Sequence, residues 1–210
     1  MRPNYIDLQN SEAYRIVLTL EHHEIVHFVR KYINCNSSFA LFFKAFMCFS
    51  ILIFILTVAS LIYSTPSIWA NLTGYFILGI LSFFLLVAPH ELIHGLMYRF
   101  YGAKKVSYGV IWSKLAFYAI APNFVVSKKE FIPLAIAPFV VLNGIIIALL
   151  FLSISSPEWH CLLWGLFLTH SFGCIGDFAM MSFFDYHKSK KIYTFDEKNA
   201  AISYFYEAIT

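Results

Sequence analysis

The sequence predicts a mainly α-helical, polytopic membrane protein, and three observations carry that prediction: composition, four long apolar segments, and the placement of the basic residues between them. Hydrophobic residues make up 60% of the 210 and charged residues 13%, against about 45–50% and about 25% in soluble domains. Segments 39–63, 69–98, 132–154 and 159–184 are apolar and long enough to cross a hydrocarbon core of about 30 Å. Outside these spans every Lys and Arg falls in 1–38, 99–131 or 185–210. The positive-inside bias therefore puts those three segments, and both termini, in the cytosol. The connections 64–68 and 155–158 carry no basic residue, and Trp69, Trp159 and Trp164 stand where an outer aromatic belt is expected. The formal charge of +3 is explained by the same rule and gives no support for nucleic-acid binding.

In chain order, residues 1–38 read as a cytosolic amphipathic arm, 39–184 as a four-helix membrane core, and 185–210 as a cytosolic tail. The first apolar run begins only at Phe39 after a charged stretch, so no cleavable signal peptide is expected. Lys44, five residues into the first span, reads as a snorkelling side chain. The second span ends in His90-Glu91-Leu92-Ile93-His94. Two imidazoles and a carboxylate at the end of a membrane helix are costly unless chemistry requires them. Spaced i and i+4, His90 and His94 share one helix face and can offer two nitrogens to one metal ion, while Glu91 reaches a water beside it. Pro89, just before the motif, is expected to kink or restart the helix and free local carbonyls.

The same pattern occurs at His23-Glu24-Ile25-Val26-His27, but there Glu21, His22, Arg30 and Lys31 flank it. Such a stretch reads as a solvent-facing or membrane-surface helix, where ionic residues need no special explanation. The second copy sits among Leu85, Leu86, Val87, Gly95, Leu96 and Met97, where solvation does not explain it. After the second span, 106–112 and 115–119 are β-branched and aromatic around Ser113-Lys114 and predict a cytosolic β-hairpin. An extended edge near a hydrolytic site can pin a substrate strand by backbone hydrogen bonds.

Catalytic zinc takes three protein ligands and leaves a position for water, so the histidine pair requires a third partner. Within the spans the acidic residue other than Glu91 is Asp177. At 1.5 Å per residue His90 lies about 31 Å along its helix from Trp69 and Asp177 about 27 Å from Trp159, which brings both to the cytosolic side. His170, seven residues before Asp177 on nearly the same helix face and about 10 Å nearer the membrane centre, reads as a polar lining or a support for a ligand. Asn143 in the third span reads as a group that positions substrate backbone or bonds helix to helix. Cys35, Cys48, Cys161 and Cys174 are scattered and form neither a disulfide framework nor a Cys-x-x-Cys metal pattern.

These residues resemble the zincin peptidases of bacterial membranes related to site-2 proteases. The resemblance rests on His90-Glu91-Leu92-Ile93-His94-Gly95 in a membrane helix, the hairpin-like segment after it, Ala137-Pro138 opening the next span and Gly176-Asp177 in the last, and covers about 75–184. It departs from site-2 proteases in carrying Ile175-Gly176-Asp177-Phe178 where they have a Leu-Asp-Gly signature, and in the spacing of Pro138 and Asn143. It implies zinc held by His90, His94 and Asp177, with Glu91 as the base, in the cytoplasmic membrane of a bacterium. The implied substrates are membrane-embedded segments: signal-peptide remnants, pheromone precursors or regulatory transmembrane proteins. The expectation is a zinc-dependent membrane endopeptidase, embedded in a lipid bilayer, acting near the cytosolic face. The rival expectation is a membrane protein that carries or senses metal, or a scaffold, without hydrolysis. A transporter spreads its polar residues along a path through the membrane, whereas here they collect near one depth, with only His170 and His160 farther out.

Overall fold

A computed structural model describes residues 2–21, 24–64, 69–112, 116–197 and 202–209. The elements are α1 (Tyr5–Asn10), β1 (Tyr14–Glu21), α2 (Ile25–Ile33), α3 (Ser38–Ser64), α4 (Trp69–Phe100), β2 (Ser107–Ile111), β3 (Ala116–Ile120), β4 (Val126–Ser127), α5 (Lys128–Leu152), α6 (Pro157–Gly173), α7 (Ile175–Tyr186), β5 (Ile192–Glu197) and β6 (Ile202–Ala208). Four helical stretches are long and apolar enough to cross a membrane: Ser38–Ser64, Ala70–Phe100, Lys128–Leu152 and Pro157–Tyr186. The chain is thus mainly helical, with small antiparallel sheets. Two compact units divide it, one of 1–40, 91–137 and 176–210, the other of 41–90 and 138–175.

The first unit holds all of the strands. Its four-stranded sheet runs β1-β6-β5-β4, entirely antiparallel. Alternate residues of a strand face opposite sides, and here both sides are covered. Leu20, Ile192 and Phe205 pack against Phe28 and Tyr32 of α2 and Ala179, Phe183 and Phe184 of α7. Tyr193, Phe195 and Tyr206 pack against Leu8 of α1 and Val125. The arm and the tail expected from the sequence are therefore joined as strands of one sheet. His27 lies in α2; His22 and His23, which begin the first His-Glu-x-x-His copy, lie outside the described residues.

Local contacts fix how the chain enters and leaves the long helices. The Asp185 carboxylate accepts from the Ser38 backbone N–H at 2.8 Å, satisfying a free donor at the start of α3. Arg2 donates to the Tyr101 carbonyl at 3.1 Å, pairs with Glu130 and lies over the Phe124 ring. Between the spans β2 and β3 form the expected hairpin, in register from Ser107↔Ile120 to Ile111↔Ala116. Its Tyr108 hydroxyl sits where a Cβ on Gly95 would be.

In the second unit α4 and α6 approach through two glycines. A Cβ on Gly79 would strike the Leu162 carbonyl, and one on Gly165 the Phe76 carbonyl. Small residues allow this contact because helices in lipid associate by close van der Waals packing. Beside it Ile146, Leu150, Trp164 and Phe167 form a buried cluster. One expectation is corrected. α4 runs unbroken through Pro89, so the helix does not restart there. The last span is instead interrupted at Cys174, between Gly173 and Gly176, where glycine weakens helical continuity and α7 begins anew.

Candidate metal centre

His90, Glu91 and His94 all stand on α4, and the helix itself places the two imidazoles one turn apart. His94 is buried, whereas His90 and Glu91 are half-buried. The His94 Nδ1–H donates to the Leu134 carbonyl at 3.0 Å, since a carbonyl only accepts. That bond fixes the ring and turns Nε2 to the other side.

Asp177, in the first turn of α7, meets that nitrogen, with Oδ1 3.3 Å from His94 Nε2. An imidazole nitrogen and a carboxylate oxygen at this distance are bridged by a proton on Nε2 or by a metal ion that both ligate. Zinc bonds of about 2.0–2.1 Å arranged tetrahedrally give a ligand-to-ligand edge of about 3.3 Å. The spacing and the donor types both fit zinc. Backbone-carbonyl anchoring of the remote N–H is also the usual support of a metal-binding histidine.

His170 lies closer to the motif than counting helical rise along the last span had placed it. Its Nε2 is 3.3 Å from His90 Nδ1, and its Nδ1–H donates to Asn143 Oδ1 at 2.9 Å. Rise measures the backbone, while two side chains extended toward each other span several more ångströms. Asn143, read as a helix-bonding or substrate-positioning group, does make that interhelical bond, from α5 to α6. Its Nδ2 is buried with no hydrogen-bond partner among the described residues.

Two participants escaped the sequence reading. The Leu134 carbonyl has no sequence signal, because any residue supplies one. Cys174, fully buried, stands one turn after His170, and the ligand atoms of His90, His170 and Cys174 also lie within 4.8 Å of one another. The i, i+4 spacing of a histidine and a cysteine was the available clue.

Four helices long and apolar enough to cross a membrane, two of them bearing the His94–Asp177 pair, mark a multi-pass membrane protein with a candidate metal site. The family described as "putative zincin peptidase" matches residues 83–192, slightly more than half of the chain, and the chain belongs to it. Membership points to a zinc metallopeptidase with zinc as its cofactor. No curated protein and no solved structure gives a significant match.

Proposed function

We propose that the protein is a zinc-dependent endopeptidase of a bacterial cytoplasmic membrane, cutting a peptide bond of a membrane-embedded or membrane-associated substrate near the cytosolic face. The observation that carries the reading is the His94–Asp177 pair, its imidazole already anchored by Leu134, on the helix that bears Glu91. His90, His94 and Asp177 would hold the metal. Zinc bound there would supply Lewis acidity toward the scissile carbonyl and the attacking water. Glu91 accepts the proton of that water and delivers it to the leaving amine, closing the proton balance of hydrolysis.

Three further features support a peptide in extended form as the substrate. Helical peptide bonds are already hydrogen-bonded, so a substrate must be unwound before its carbonyl is attacked. The β2–β3 hairpin is a separate two-stranded sheet with backbone donors and acceptors along its edges, and Tyr108 seats it on Gly95, next to His94. Asn143 Nδ2 is a buried donor suited to a backbone carbonyl.

The test uses the full chain in detergent and in cells. Wild type retains about one zinc per chain and cleaves a co-expressed membrane peptide, while Glu91→Gln retains zinc and loses cleavage. Zinc binding with no cleavage by either form of any membrane peptide in a broad panel would favour metal handling without hydrolysis.

A further inference from the structure

We propose that Asn143 and His170 form a serial hydrogen-bond relay that orients His90 as a metal ligand, an inference resting on the zinc-site reading above. The polarity of the relay follows from its far end. The Asn143 carbonyl oxygen can only accept, so the 2.9 Å contact places the proton on His170 Nδ1. A neutral imidazole carries one N–H, so His170 Nε2 holds a lone pair. That nitrogen faces His90 Nδ1 at 3.3 Å and accepts its proton. His90 is thereby left with its lone pair on Nε2.

The arrangement uses three helices, with His90 on α4, Asn143 on α5 and His170 on α6. Asn143 and His170 are 3% and 1% exposed, so water does not supply alternative partners. The two motif histidines are thus anchored differently. His94 donates to a backbone carbonyl, which cannot be altered by substitution, whereas His90 donates to a side-chain chain that can. Toward the metal each member of the relay acts through the next, and neither Asn143 nor His170 needs to touch the ion. Both are positioning residues.

The experiment measures zinc affinity of the detergent-purified full chain by competition with a chromophoric chelator. His170→Leu and Asn143→Leu are each expected to weaken zinc about 10–100-fold, the usual effect of losing a group that supports a ligand. Because the relay is serial, the double Leu variant is expected to be no weaker than His170→Leu alone. The conservative variants keep an acceptor at each step: Asn143→Asp and His170→Gln are expected to restore most of the affinity. Additive losses, or failure of both conservative variants in folded protein, would overturn the relay.

His94→Ala separates this proposal from the reading beneath it. If wild type binds zinc, His94→Ala loses it and His170→Leu binds as tightly as wild type, the relay fails while the zinc site stands. If His94→Ala leaves zinc untouched, the site itself is misassigned and the relay falls with it. Cobalt substitution gives the remaining check. A nitrogen- and oxygen-ligated ion lacking a thiolate charge-transfer band supports the relay. A band abolished by Cys174→Ser would show that His170 and Cys174 are themselves ligands, and would overturn it.

Discussion

At the scale of single residues, the proposed site separates groups that would hold a cation from the group that would move a proton. Asp177 and His94 face each other at 3.3 Å, so Asp177→Ala removes one of the three proposed ligands and leaves the buried imidazole without its carboxylate. It is expected to lose zinc on dialysis. Glu91→Gln preserves shape and removes only the proton acceptor, so its turnover is expected to fall by about 10²–10⁴ with zinc intact. His27→Ala, in the N-terminal copy, is expected to keep both. Metal analysis beside a cleavage assay reads all three, and zinc loss in the His27 variant with retention in the Asp177 variant would move the site to the other motif. The motif and Asp177 were legible in the sequence because ionisable residues in apolar helices stand out against their neighbours. The His90–His170 contact was not, since side-chain reach does not follow from spacing along a helix.

At the scale of elements, packing and buried charge give two measurable consequences. The α4–α6 crossing has no room for side chains at Gly79 or Gly165, so Gly79→Leu and Gly165→Leu must push the helices apart. Each is expected to cost about 1–3 kcal/mol, the range for overpacking. A Cβ on Gly144 would meet open space, so Gly144→Ala is expected to be neutral or to add about 0.5–1 kcal/mol by helix propensity. Thermal unfolding in detergent distinguishes them, and equal melting temperatures for Gly79→Leu and Gly144→Ala would refute the close contact.

The second consequence lies in β5, where burial pushes the Asp196 carboxyl up to about 6, partly opposed by hydrogen bonds from Ser203 and Tyr98. The Ser203 hydroxyl donates at 2.6 Å. Between the ordinary value of 3.8 and about 6 the folded chain binds more protons than the unfolded chain. Stability therefore falls as pH rises through that window and levels off above it. Asp196→Asn keeps an acceptor for Ser203 and Tyr98 but cannot ionise. It is expected to flatten this pH dependence and to raise the melting temperature relative to wild type at pH 7 more than at pH 4. An unchanged slope in the variant would assign the dependence to another group.

At the scale of the whole molecule, the proposed orientation in the membrane rests on charge alone and is directly testable. Reporters at either terminus and within 99–131 are expected to read cytosol, and one within 64–68 the outside. An external signal from 99–131 would place the hairpin on the other face and remove the cytosolic site. The sequence by itself determined the four spans, because a run of apolar residues long enough to cross lipid is a local property that composition records. It also determined the motif and the β2–β3 hairpin, whose strands are neighbours along the chain. Only the tertiary structure joined β1 to β5 and β6, since strands from opposite ends of the chain pair by contacts that no local window contains. The aromatic alternation of Tyr193, Phe195, Tyr204 and Tyr206 was a strand signal, but two covered faces mask the polar side that makes such a pattern clear. The same holds at the site: residue type nominated the ligands, whereas the carbonyl under His94 and the imidazole behind His90 come from other helices and exist only once the chain has folded.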